Sequence, residues 1–289
     1  MSLYSHAVRP LVMGVLNVTP DSFFDGGRYL DHDAAIRRGT EILDEGADIL
    51  DIGGESTRPG ASAVSEDEEL RRVMPVFEAL ARDDRVTSGR ARLSIDTTTP
   101  AVARAAVGAG ATMVNDVSAS LGEVAAETGA AFVAMHAKGT PAEMQDDPSY
   151  DDVVGEVSAY LADRARAANA AGVQEVWIDP GIGFGKTAHH NLALLRALGQ
   201  LTALGWPVVV GTSRKTFLGR IAAGGPDAPP LPPSERFEGS LATAVWSMAC
   251  GAAAVRVHDV RATVQAARIV AAVGDAATPD DRGQGDNQQ

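Results

Sequence analysis

The stretch RLSIDTTTPAVARAAVGAGATMVNDVS (92–118) decides the fold. It opens on a short apolar run that ends at Asp96. Thr99-Pro100 follows, a capping residue ahead of a first-turn proline, which is a start signal for a helix. A second apolar run then ends in Asn115-Asp116-Val117-Ser118. A strand, a return helix and a second strand make the repeating unit of an α/β fold with parallel strands.

The same unit recurs along the chain. Besides RLSIDT (92–97) and TMVNDVS (112–118), apolar runs occur at VMGVLNVT (12–19), DILDIGGES (48–56), FVAMH (132–136), VWIDPG (176–181), VVVGTS (208–213) and VRVHD (255–259), eight in all. Such near-continuous runs suit parallel strands covered on both faces. Val153, Val154, Val157, Leu161 and Ala165 recur at helical spacing, as do Leu194, Leu195, Leu198 and Leu201. Ser65-Glu66-Asp67-Glu68 reads as a capping box. Eight βα units in about 250 residues match the size and order of a single-domain (β/α)8 TIM barrel. A doubly wound open sheet would use the same alternation. The barrel domain is expected to span 1–274, and the polar tail 275–289 to be disordered. The Gly/Pro-rich AAGGPDAPPLPPSE (222–235) predicts a surface loop.

With 289 residues, 45% of them hydrophobic and 22% charged, the chain can bury a core without disulfides. Its single cysteine, Cys250, leaves no disulfide framework and suits a reducing, cytoplasmic setting. The N-terminus has no signal-peptide pattern, and no apolar run approaches a membrane span. A net charge of −13 argues against nucleic acid or an acidic membrane as partner.

Asn17, Glu55, Asp96, Asn115, His136, Asp179, Ser213 and His258 stand at the ends of the runs. In a barrel these ends converge on the face that carries active sites. Asp, Asn and Ser also cap helices, but His136 and Arg256 are poor caps, and Asn115-Asp116 sits inside its run. Asp96, Asn115 and Asp179 suit a flat heterocycle with ring N–H and amino donors. Arg58, Arg214, Lys215, Arg256 and His258 suit phosphate or carboxylate. NVTPDSFFDGG (17–27) and ESTRPGA (55–61) read as ordered, movable lids. In GTSRKTFLG (211–219) a helix begins near Thr216, where free N–H groups and hydroxyls suit an anion. No cysteine cluster exists and His189-His190 lack a spaced partner, so a metal would be Mg²⁺ on an oxygen ligand such as Asn17. Trp206 and Trp246 read as packing residues.

WIDPGIGFGKT (177–187) imitates a phosphate loop, yet the first glycine of that motif is replaced by Pro180. The reading therefore falls on Asp179 at the end of the run and on Phe184, with Lys186 and the glycines as the less informative part.

Taken together, MGVLNVTPDSFFDGG, ADILDIGGESTRPGA, SIDT, VNDVS, MHAKGTPAEMQ, IDPGIGFGKT, GTSRKTFLG and RVHDV resemble the dihydropteroate synthases, in that family's order, over roughly residues 10–273. The resemblance implies a TIM-barrel homodimer that joins 6-hydroxymethyl-7,8-dihydropterin diphosphate to 4-aminobenzoate by an SN1-like route. By position it implies that Asp96, Asn115, Asp179 and Lys215 bond the pterin, and that Arg256 covers the ring. Asn17 would hold Mg²⁺ and diphosphate, with Arg58 and His258 on phosphate oxygens. Phe23, Thr57, Pro59, Phe184, Ser213 and Thr216 would surround the aminobenzoate, with sulfonamides as its competitors. Asp96, Lys215, Asn17 and Arg256 form the implied catalytic set. A pterin-binding methyltransferase would share the Asp/Asn/Asp grip, though not the SRK turn or the two lids. A non-catalytic pterin-binding paralogue would be expected to lack one of the residue types at Asn17, Asp96, Arg256 or His258.

Overall fold

The computed structural model describes residues 9–19, 31–55, 64–139, 144 and 148–275. Strands β1 (Leu11–Asn17), β2 (Ile49–Gly53), β3 (Arg92–Asp96), β4 (Met113–Asp116), β5 (Ala131–Met135), β6 (Val176–Asp179), β7 (Val209–Val210) and β8 (Ala254–Val257) form one sheet. Between them run α1 (His32–Asp44), α2 (Glu66–Leu80), α3 (Asp84–Thr87), α4 (Pro100–Gly108), α5 (Gly122–Thr128), α6 (Val153–Ala171), α7 (Ala188–Arg196), α8 (Leu198–Thr202), α9 (Thr216–Ala222) and α10 (Phe237–Ala249); α11 (Val260–Gly274) follows β8. Every strand pairing is parallel, in the order β6-β5-β4-β3-β2-β1-β8-β7. A parallel bridge between Ile178 and Val208 joins the two ends of that order. The sheet therefore curls into a barrel with helices outside it, and the open-sheet alternative is set aside.

Alternation along each strand separates two cores. Val12, Leu16, Leu50, Ile52, Leu93 and Ile95 face the helices and join the large outer core with Phe77, Val76 and Leu161. Met13, Ile49, Met113, Ala131, Val133, Trp177, Val209 and Ala254 form a separate apolar plug inside the barrel. Two residues further along the inward face, the side chains turn polar. Ile49 is followed by Asp51, Met113 by Asn115, Trp177 by Asp179 and Ala254 by Arg256. The site is thus the upper half of the barrel interior.

Local motifs hold unevenly where long-range partners compete. Thr99 holds the cap position of α4, but its hydroxyl donates to Glu69 Oε2 at 3.0 Å instead of capping. Ser65 caps α2 by accepting from the Glu68 N–H at 3.3 Å; Glu68 turns its own carboxylate to Arg71 and Arg72, so half of the capping box forms. The leucine stripe 194–201 is buried throughout, yet its helix breaks at Ala197 into α7 and α8. The apolar run at 208–213 yields a strand of only two residues, since the chain leaves the sheet toward the SRK turn. Glu55, His136, Ser213 and His258 lie beyond the ends of their strands. The segment 222–235 is a surface loop that closes on a short 3₁₀ turn at Pro233–Glu235. Most of the tail expected to be disordered, residues 276–289, lies outside the described residues.

Candidate active site at the barrel mouth

Arg256 organises the mouth. Its Nε donates to Asp51 Oδ2 at 2.6 Å and its Nη2 to Asp96 Oδ2 at 2.6 Å. Asn115 Nδ2 donates to the same Asp51 oxygen at 3.0 Å. The β8 guanidinium thereby ties β2 to β3, and β4 joins the cluster through Asp51. Asp51 is fully buried, and its Oδ1 has no hydrogen-bond partner among the described residues. One cation facing two buried carboxylates leaves excess negative charge. Burial and the neighbouring Asp51, Asp116 and Glu69 push the Asp96 carboxyl up to about 7 against the pull of Arg256. The same carboxylates hold the Arg256 guanidinium above its ordinary value despite burial.

Asp51 is the member that sequence reasoning missed. It looks like an interruption in an apolar strand, and its partners are remote in the chain. An acid on the inward face, two residues above Ile49, is the signal that could have found it. Glu69 was missed as well. It is fully buried behind Asp96, held by the Thr99 hydroxyl, and burial raises its pKa.

Across the mouth, Asp179 ends β6 and accepts from the Gly181 N–H at 2.7 Å. Burial raises its pKa while Lys215 opposes the shift. Lys215 is the N-cap residue of α9. Its ammonium donates to the Ile182 carbonyl and lies 4.6 Å from the centre of the Phe184 ring. Burial brings it down to about 8, with Asp179 resisting. Ser213 Oγ lies 3.0 Å from His258 Nδ1 and accepts from the His258 N–H at 3.2 Å. Asn17 ends β1 beside Gly53 of β2. Thr216 opens α9 on the surface. That helix has seven residues, so free N–H groups and hydroxyls, more than a long helix dipole, are what it offers an anion.

Three expectations are corrected. Arg214 turns its guanidinium onto Asp259, at 2.6 and 3.2 Å, and is not one of the mouth cations. The His136 ring is 6% exposed and committed to Lys186 Nζ, 2.9 Å from Nδ1. Burial and that ammonium push His136 down to about 3, so its ring is neutral. Lys186, which reads as uninformative in the sequence, is a keystone. Besides His136 Nδ1, its ammonium reaches the carbonyls of His136 at 3.2 Å, Gly181 at 3.0 Å and Phe184 at 3.0 Å. It staples the 181–185 turn to the end of β5. Gly181 and Gly185 have φ of +63° and +62°, and a Cβ on them would run into the carbonyls of His136 and Lys138. The phosphate-loop look of this stretch is a tight turn wrapped around a lysine.

Replacing Lys186 by methionine keeps the volume and strands these acceptors in a dry site. The expected cost is at least about 2 kcal/mol of unfolding free energy. Urea denaturation measures it, and a change below about 0.5 kcal/mol contradicts the keystone role.

Phe23, Thr57, Arg58 and Pro59 lie outside the described residues. No group of three His, Cys, Asp or Glu side chains among the described residues is placed to hold a metal. No described helix is long and apolar enough to cross a membrane.

Known proteins share this fold. The model of a family of pterin binding enzymes matches residues 13–258. The dihydropteroate synthase of Mycobacterium leprae (strain TN) is 48% identical over 269 residues, covering 90% of this chain and 92% of that protein. The solved structure of Xanthomonas albilineans dihydropteroate synthase with 4-aminobenzoic acid has a TM-score of 0.82 at 46% identity, over 93% of this chain and 94% of that one. The Xanthomonas albilineans enzyme in complex with 7,8-dihydropteroate has a TM-score of 0.80 at 42% identity, over 95% and 97%. On this agreement in sequence and fold, the chain belongs to the dihydropteroate synthase family of pterin-binding transferases.

Proposed function

We propose that the barrel mouth joins 6-hydroxymethyl-7,8-dihydropterin diphosphate to 4-aminobenzoate, giving 7,8-dihydropteroate and pyrophosphate. The observation that carries this reading is the Asp51–Arg256–Asp96 cluster, with Asn115 and Asp179 at the same mouth. Asp96, Asn115 and Asp179 take the pterin edge, and Lys215 bonds it from the far side. Arg256, its plane fixed by two carboxylates, covers the ring. His258, oriented by Ser213, and Arg58 take phosphate oxygens. Phe184, Phe23, Pro59 and the Lys215 stem enclose the aminobenzoate ring, while Thr216, Ser213 and Thr57 meet its carboxylate.

The bond between the pterin methylene carbon and the diphosphate oxygen breaks first, and the electron pair leaves with pyrophosphate. The cation left behind spreads over the pterin, where the Asp96 carboxylate stabilises it. The aniline nitrogen then attacks the methylene, and the proton it sheds passes to the released pyrophosphate. Asn17 at the end of β1 offers an amide oxygen, a hard ligand of the kind that would hold Mg²⁺ beside the diphosphate. Bound there, it would neutralise charge on the leaving group.

A pyrophosphate-release assay with both substrates tests the reading. Turnover is expected, lowered without Mg²⁺ and competed by a sulfonamide against aminobenzoate. Absence of product from the two substrates overturns it and revives the methyltransferase or paralogue alternatives.

The chain works as a cytoplasmic homodimer in this reading. Support comes from large apolar side chains exposed on α7, α10 and α11: Leu192, Trp246 at 52%, Ile269 at 66% and Val273 at 71%. Trp246 is thus a surface residue, with its indole N–H on the Leu195 carbonyl at 2.9 Å. Light scattering on the purified protein should give twice the chain mass, and Trp246→Glu with Ile269→Glu should give a monomer. A wild-type monomer at micromolar concentration rejects the assembly.

A further inference from the structure

Lys215 and Ser213 flank a residue that does not hold its conformation unaided. Arg214 has φ of +59°, one of two non-glycine residues at positive φ among those described. An L side chain there crowds the following carbonyl, so the conformation persists only where surroundings impose it. Here both backbone groups of Arg214 are gripped from α10 and its N-cap. The Arg214 N–H donates to Ser240 Oγ at 2.8 Å, and its carbonyl accepts from Arg236 Nη1 at 2.8 Å. Ser240 Oγ gives its own proton to the Arg236 carbonyl at 2.6 Å, which turns a lone pair toward Arg214. Arg236 Nε donates to the Leu231 carbonyl at 2.7 Å, anchoring the grip to the surface loop.

Arg236 is 8% exposed and Ser240 4% exposed. Neither is on a barrel strand or in the mouth. Among the described residues the Arg236 guanidinium makes no ion pair and donates to two carbonyls, those of Leu231 and Arg214. A buried cation bonded to carbonyls alone is costly, and an apolar side chain would fill the space more cheaply. Its forked donor geometry is therefore the property in use. α9 is packed on the same group, because a Cβ on Gly219 would sit 2.7 Å from Arg236 Nε.

We propose that Arg236 and Ser240 are positioning residues for the reaction: they clamp Arg214 in its left-handed conformation, and the clamp sets Ser213, Lys215 and Thr216 at the mouth. This rests on the functional reading above. Releasing Arg214 lets its φ return to negative values, which rotates the chain on either side. Asp96, Asn115 and Asp179 come from other strands and stay in place.

The test compares wild type, Arg236→Met, Ser240→Ala, Arg214→Gly and Arg236→Met with Arg214→Gly. Arg236→Met should lower kcat/KM for aminobenzoate about thirtyfold, the scale of a left-handed penalty at about tenfold per 1.4 kcal/mol. KM for the pterin diphosphate should move less. Ser240→Ala should lose about fivefold, as one hydrogen bond of the clamp. Arg214→Gly alone should stay near wild type, because glycine holds positive φ freely. Added to Arg236→Met, it should recover about tenfold. A loss that glycine leaves unchanged or deepens overturns the clamp and makes Arg236 a packing residue. Amide hydrogen exchange of the 212–218 peptide gives a readout independent of turnover. It should speed up in Arg236→Met, or in Ser240→Ala if the former fails to fold, and unchanged exchange overturns the proposal. Lack of dihydropteroate formation by the wild type would instead overturn the functional reading.

Discussion

Arg256→Met is expected to destabilise the protein by about 3–5 kcal/mol and to abolish measurable turnover, because it leaves two buried carboxylates without a cation. Asp51 and Asp96 both bond this guanidinium at 2.6 Å, and no second cation bonds either of them among the described residues. Urea denaturation of the single variant, and of Arg256→Met with Asp51→Asn, separates the two effects. The added asparagine should restore a large part of the stability and none of the activity. A single variant as stable as wild type would show that water reaches the cluster freely.

Asp96→Asn should lower kcat at least about a thousandfold while the fold survives, since it removes the charge that would face the developing cation. Stability should hold or rise, because Arg256 then faces one carboxylate instead of two. The pH dependence follows from the raised pKa of about 7. A raised carboxyl favours the folded state below the ordinary carboxylate range, and that advantage is lost as pH climbs through 7. The wild type should therefore lose stability between about pH 4 and 7 through this group, and the asparagine variant should not. Activity runs the other way, since the ionised form is the working one. kcat/KM for the pterin substrate should fall below about pH 7 with a limb that Asp96→Asn removes. A limb that persists in the variant would belong to the diphosphate.

The strands were readable because parallel strands covered on both faces leave long apolar runs, and their inward alternation survives in the sequence. Asn115 and Asp116 show how far that goes. Both are polar, adjacent and buried, yet the pleat sends Asn115 to Asp51 while Asp116 accepts from Ser118, Ser120 and Leu121 in the following turn. The residues that sequence reading misplaced are those whose partners lie far along the chain. Asp51 reads as a blemish until β8 brings Arg256 beside it. Lys186 reads as the uninformative part of its stretch until His136, 50 residues away, meets its ammonium together with two local carbonyls. Arg214 reads as a mouth cation until Asp259 claims it. Both helix starts stand where the local motifs place them, at Pro100 and Glu66, but the Thr99 hydroxyl and the Glu68 carboxylate turn to Glu69 and to Arg71 and Arg72 instead of completing the caps. Phe23, Thr57, Arg58 and Pro59, named from the resemblance, lie outside the described residues.

The guanidinium at the centre of the mouth also sits near the end of the chain. Arg256 is 205 residues from Asp51 and 160 from Asp96. A nascent or truncated chain that stops before β8 holds both acids and lacks their cation. Drawing them into a dry interior at that stage is unfavourable, so the early strands gain little by closing on one another. Final collapse waits for contacts of long sequence separation, which form slowly. The charge cluster assigned to ligand recognition is, during folding, a requirement for β8: the interior becomes habitable only once that strand is in place.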